Sequence, residues 1–285
     1  MKKILYFKNY KISSDSILFK YKFNNKSYTV EFISKELLQN KSFDPKNDYV
    51  LNKVICYLGV ISSFNLFDLE YFNEIIVECM VLNKEEGDYF SNLSFDGLAE
   101  FRYINKINIS KKVKFSSICS QSNCLYKKPK LFFNKKTILL NGGGKDSAVA
   151  AEMLKLIKEN YSWLTLNMNT ARKNIILTSK IKSCFSLSRV IDKNIRKDSK
   201  YLGHKPVSAL IAFISILYAY IYKYSYVVTA NEYSSNFSNL KINDISINHQ
   251  YTKSLDFEKK FNVFIRNRLF KGVTYYSVLR PLYEI

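Results

Sequence analysis

The sequence predicts an α/β protein: a doubly wound, mostly parallel sheet preceded by a smaller α+β domain. Three observations predict it. From residue 131 onward, short apolar runs alternate with helical patterns, as in strands joined by crossover helices. Before residue 131 the pattern is mixed and opens on alternating aromatic and lysine residues. Between an apolar run and a helix, TILLNGGGKDSAVAAEML (137–154) spends three of the chain's eight glycines in a row. The lysine-rich YKKPK (126–130) makes the boundary, giving domains 1–130 and 131–285.

The elements follow in order. ILFKYKF (17–23) alternates Phe19, Tyr21 and Phe23 with Lys20 and Lys22; NNK then turns into SYTVEF (27–32), a hairpin with one wet face. VLNKVICYLGVI (50–61) sets Val50, Leu51, Val54, Ile55, Leu58 and Ile61 at helical spacing. FFNKKTILL ends in a short strand, and the helix after the glycines is expected to bury Val149, Met153, Leu156 and Ile157. WLTLNM (163–168) is the next strand, ARKNIILTSKI a helix, and CFSLSRVI (184–191) a third strand. An apolar helix starts at Pro206; YSYVVTA (224–230) is a fourth strand. DFEKKFNVFIRNRLF (256–270) turns Phe257, Phe261, Phe264 and Ile265 inward, and VTYYSVL (273–279) is a fifth strand. In such sheets ligands bind at the carboxyl ends of strands.

Composition bounds the function without fixing it. Hydrophobic residues make up 47% of 285, which excludes a disordered or fibrous chain. Lys+Arg number 44 against 24 acids, a formal +20, but the lysines are scattered through both halves rather than clustered. A nucleic-acid partner is therefore not required by the charge. The five cysteines show no framework spacing, which suits a reducing compartment. Cys119 and Cys124 form a lone C-x4-C pair with no second pair to complete a zinc site. The longest uncharged stretch, residues 207–222, falls short of the roughly 20 residues a bilayer span needs. The expectation is a soluble, cytoplasmic protein with no membrane partner.

A strand that ends in glycines and runs into a helix makes a phosphate site. The helix dipole favours an anion, and glycine lets backbone approach oxygen closely. Two better-known loops are excluded. A Walker A loop would need glycine at 139 and Ser or Thr at 146, where Leu139 and Asp146 stand. The dinucleotide pattern would need glycine in place of Ser147. In the remaining G-G-G-K-D-S, the amides of Gly142, Gly143 and Gly144 with Ser147 hold phosphate, Lys145 neutralises it and Asp146 holds Mg²⁺. Both histidines, His204 and His249, fall at element ends on the carboxyl side of the sheet.

G-G-G-K-D-S resembles the SGGxDS loop of the PP-loop ATP pyrophosphatases, which resemble one another in an adenine nucleotide alpha hydrolase-like fold. Gly143, Gly144, Asp146 and Ser147 match position for position, and Gly142 replaces the leading serine. Five further segments carry a narrower resemblance: GLAEFRY (97–103), GHKPVSA (203–209), TANEYSSN (229–236), NHQYTKSLDFE (248–258) and YYSVLRPL (275–282). Together they resemble the ATP-dependent UDP-N-acetylmuramoyl-L-alanyl-L-glutamate epimerases of peptidoglycan precursor synthesis. The resemblance implies ATP and Mg²⁺ as cofactors, AMP formation, and a UDP-linked muramoyl dipeptide as substrate, its terminal L-Glu inverted to D-Glu. Two departures stand out: Tyr233 and Phe237 replace a basic and an acidic residue, and the family continues past R-P-L. On that ground the chain reads as a fragment or a shortened relative.

The chemistry is intelligible from the residues. Removing a proton next to a carboxylate puts a carbanion beside a negative charge; adenylation of that carboxylate removes the charge and lets a side-chain base act. The candidate bases are His249, Lys253 and His204, in neutral form. Arg280 is placed to clamp phosphate or carboxylate. Asn231, Glu232, Gln250 and Glu258 are candidate polar or Mg²⁺ ligands. The rivals are another PP-loop enzyme, tRNA-modifying or amide-forming, and a degenerate nucleotide-binding module.

Overall fold

The computed structural model describes residues 2–118 and 131–283. The Cys119–Cys124 pair and the YKKPK boundary lie outside the described residues. Along the chain run β1 (Ile4–Ile12), β2 (Ser16–Phe23), β3 (Lys26–Ile33), the short α1 (Lys35–Leu38), α2 (Tyr49–Ser62), β4 (Glu74–Val77), α3 (Lys84–Gly97), α4 (Ala99–Ile104) and β5 (Lys114–Ser117). The second half follows with β6 (Asn134–Leu140), α5 (Lys145–Leu156), β7 (Tyr161–Leu166), α6 (Thr170–Ser179), β8 (Cys184–Ile191) and α7 (Lys193–Lys197). It closes with α8 (Val207–Tyr222), β9 (Tyr224–Thr229), the small hairpin β10 (Leu240–Ile242) and β11 (Ile245–Ile247), α9 (Leu255–Arg268) and β12 (Thr274–Ser277).

Ten strands form one sheet in the order β12-β9-β6-β7-β8-β3-β2-β1-β4-β5. It is parallel from β12 to β8 and again from β1 to β5; the pairs between β8 and β1 are antiparallel. The strands before and after residue 130 thus lie in one sheet, joined where Val30 to Ile33 pair with residues 188–191. They also share a core, in which Tyr57 of α2 and Phe90 of α3 lie on Phe213 of α8 and Phe264 of α9.

Local chemistry explains the elements. Asn24 and Asn25 turn β2 into β3 with φ of 46° and 62°, the left-handed pair that a two-residue hairpin requires and asparagine tolerates. The hairpin buries Phe19, Tyr21 and Phe23 as its alternation demands. Asn83 and Glu86 close a reciprocal capping box on α3, and Glu86, fully buried, also takes Lys53 Nζ at 2.5 Å. The helical stretch Tyr49–Asp68 has the length and apolar character of a membrane span, beyond the 207–222 segment the sequence singles out. Within the fold it is a core element, with 89% of its apolar window packed inside.

One expected face is different. α5 buries Ala150, Ala151 and Leu154 rather than the larger residues; Val149, Leu156 and Ile157 are exposed, and only Met153 packs partly against the core. The loop entering α5 sets the rotation of the helix, and alanines let it sit close against Trp163 and Leu139.

Candidate functional site

The glycine loop leaves β6 and is held in shape by its own groups. Asn141, nearly buried, accepts the Gly143 N–H on Oδ1 at 3.0 Å and donates Nδ2 to the Arg172 carbonyl at 3.0 Å. The Gly142 N–H donates to Ser147 Oγ at 2.9 Å, so a buried hydroxyl ties the loop to the first turn of α5. Gly143 has φ +85°, which favours glycine. Gly144 caps α5 without a side-chain cap hydrogen bond, and a Cβ there would meet no described residue within 4 Å.

This loop forms one wall of a cleft of about 420 Å³ at the carboxyl ends of the parallel strands. Gly142, Gly144, Asp146 and Ser147 line it; Gly143 and Lys145 flank it without lining it. Asn231, at the end of β9, also lines it and is fixed through Ser277: its N–H donates to Ser277 Oγ and its carbonyl accepts from the same hydroxyl. Lys253 lines it from the turn before α9.

Two further cleft-lining arginines escape the sequence reading. Arg172, in the first turn of α6, and Arg189, on β8, both line the cleft and are both anchored on Asn167. Asn167 follows β7 with φ +56°; its carbonyl accepts Arg172 Nη1 at 2.9 Å and its Oδ1 accepts the Arg189 N–H at 2.6 Å. Burial lowers the pKa of Arg189 below the ordinary arginine value. A signal for Arg189 exists in CFSLSRVI, where alternation puts it on the same face as buried Phe185 and Leu187. With Lys253, these cations outnumber Asp146, the one acid that lines the cleft among the described residues, so the cavity suits an anionic ligand.

The histidines stand together outside the cleft. Their rings lie 6.2 Å apart, edge to face. His249 Nδ1 is 2.7 Å from Asn239 Oδ1 and its Nε2 is 3.2 Å from Gln250 Nε2; donation from Nδ1 and acceptance at Nε2 satisfy both contacts in one tautomer. Partial desolvation lowers the His204 pKa, opposed by Glu100 and reinforced by His249, Lys253 and Lys205. Of the three candidate bases, Lys253 alone lines the cleft.

Arg280 and Glu258 are paired with each other at 2.8 Å rather than facing the cleft. Arg280 also donates to the carbonyls of Glu232 and Lys253 and to Ser235 Oγ, so it positions the loops that carry the site. Glu232 is buried below these loops, and Gln250 is engaged with His249. Tyr233 and Phe237 form an exposed aromatic cluster with Tyr283.

The similar segments of the two halves meet. A Cβ on Gly97 would stand 3.1 Å from Pro206 Cβ and 3.6 Å from Thr252 Cγ2, so GLAEFRY, GHKP and NHQYTK converge at one contact that needs glycine's small size. Gly203, φ +155°, packs on Phe101. Arg102 is fully buried with its guanidinium spent on the Ile109 and Phe95 carbonyls, the Tyr71 hydroxyl and the Phe95 ring. Among the described residues no three His, Cys, Asp or Glu side chains converge on a metal position.

Comparison with known proteins agrees with this convergence. A protein named UDP-N-acetyl-alpha-D-muramoyl-L-alanyl-L-glutamate epimerase, from Xanthomonas oryzae pv. oryzae, is 24% identical over 248 residues, covering 84% of this chain and 53% of that protein. Proteins of the same name from Micromonospora sp. and Salinispora tropica are 29% and 26% identical over 149 and 146 residues, half of this chain and about a third of theirs. The chain thus matches about half the length of the first of these relatives and less of the others. The family model described as the MurL N-terminal domain matches residues 2–278, and the chain belongs to that family.

Proposed function

We propose that this chain carries the nucleotide site of an ATP-dependent, AMP-forming epimerase acting on the terminal L-glutamate of UDP-N-acetylmuramoyl-L-Ala-L-Glu. The observation that carries the reading is the glycine loop on a cleft that Arg172, Arg189 and Lys253 also line. The names of the similar proteins supply the substrate.

The residues present fit a triphosphate. The space beside Gly144 among the described residues leaves room for phosphate oxygens at the start of α5, and Ser147 holds the loop around them. A single carboxylate suits Mg²⁺, which keeps waters and phosphate oxygens as its other ligands; Asp146 would hold it. Bound ATP would supply the activating group for a carboxylate, whose charge is thereby removed. Lys253 is the candidate base lining the cleft, and His204 lies near enough to feel its charge.

The test is incubation in D₂O with the UDP-linked dipeptide, ATP and Mg²⁺. Deuterium at the glutamate α-carbon with AMP as product is the expected result, and Asp146→Asn should abolish both without unfolding the chain. ADP as product would overturn the AMP-forming chemistry. AMP formation that depends on tRNA would transfer the site to an RNA-modifying enzyme. ATP binding with neither exchange nor AMP would leave a nucleotide-binding module.

A further inference from the structure

The cleft holds two arginines with different surroundings. Arg172 belongs to the loop wall: a Cβ on Gly143 would lie 3.1 Å from its Cγ, so its stem covers the glycines. Arg189 rises from β8 on the far side, where Asn65, from the first half of the chain, accepts its Nη1 at 3.4 Å. Asn65 is itself nearly buried and fixed by donating Nδ2 to the Ser62 carbonyl at 2.8 Å. Neither arginine makes an ion pair among the described residues, and the Nε of each is buried with no hydrogen-bond partner.

A buried donor without an acceptor is costly, and a guanidinium held only by a long neutral contact has its charge unspent. With Nη1 of Arg189 on Asn65 and Nε enclosed, Nη2 remains as the donor for a carboxylate oxygen, and the charge of the guanidinium is not met by an acid among the described residues. The loop side already has Arg172, the start of α5 and Lys145 for phosphate.

We propose that the Arg189 guanidinium receives the carboxylate to be activated, while Arg172 serves the phosphate. Asn65 and Asn167 are positioning residues that aim Arg189. This assignment rests on the nucleotide reading given above. It makes the first half of the chain a contributor to substrate specificity through Asn65.

The experiment measures binding by calorimetry on the full chain with three probes. These are a non-hydrolysable ATP analogue with Mg²⁺, the UDP-linked dipeptide, and the same dipeptide with its glutamate α-carboxylate converted to a carboxamide. Wild type should prefer the acid to the amide. Arg189→Gln should weaken the acid by roughly tenfold to a hundredfold, leaving the amide and the nucleotide analogue unchanged. Arg172→Gln should weaken the nucleotide analogue. Asn65→Ala, which keeps the charge and loosens its aim, should lose part of the preference for acid over amide and carries the test if Arg189→Gln does not fold. Equal loss of acid and amide, or equal loss of nucleotide and acid, in Arg189→Gln overturns the assignment, as does a wild type that binds nucleotide but no dipeptide. Wild type that binds the dipeptide but not the nucleotide overturns the nucleotide reading instead, and the acid-to-amide comparison still decides the role of Arg189.

Discussion

Glu258 and Arg280 meet at 2.8 Å with their side chains 12% and 13% exposed. The carboxylate also accepts the Ser277 N–H, and the guanidinium reaches the Lys253 carbonyl. One ion pair therefore fastens α9 and the end of β12 to the turn that presents Lys253.

Arg280→Ala should cost about 3 kcal/mol of stability, because it strands a buried carboxylate. Urea unfolding measures the loss, and Arg280→Gln combined with Glu258→Gln should recover part of it. If Arg280 instead binds ligand directly, its replacement would abolish nucleotide binding with little change in the unfolding midpoint.

Gly144→Ala separates ligand space from fold. The backbone there has φ −106°, open to any residue, and the new methyl would meet no atom of the described residues within 4 Å. Stability should stay within about 0.5 kcal/mol of wild type. ATP affinity should fall at least tenfold if phosphate occupies that space; unchanged affinity in calorimetry would move the nucleotide elsewhere.

His204 should give the fold a pH dependence of known sign. Its folded pKa lies below the unfolded value of 6.5, so the unfolded chain binds more protons in the window between them. The contribution is present above pH 6.5 and is lost as pH falls through the folded pKa. Chemical unfolding at about pH 7.5 and about pH 5.5 should show a larger drop for wild type than for His204→Gln. Equal drops would mean that His204 titrates alike in both states.

Much of the second half is legible because its signals are local. Alternation marks CFSLSRVI, Pro206 marks the start of α8, and Phe257, Phe261, Phe264 and Ile265 are buried as their spacing requires. Gly142, Gly144, Asp146, Ser147 and Lys253 come together in one cleft. What is not legible depends on distant partners. β1 is given no element by the sequence reading; its pairing with β2 and β4 makes it a strand. Arg172 looks like a solvated helix residue until Asn167 turns and accepts it. The α5 face is misjudged because side-chain size, rather than loop geometry, suggests the buried residues.

The pairing of β3 with β8 has a consequence for how the chain comes into being. β3 emerges early from the ribosome, yet its second partner is not made until more than half the chain has been synthesised. In that interval the backbone groups from Val30 to Ile33 form a free sheet border beside a strongly aromatic hairpin, a template for other unfinished chains. Arrival of residues 188–191 seals that border and brings Arg189 to Asn65, so the open edge closes as that side of the cleft is completed.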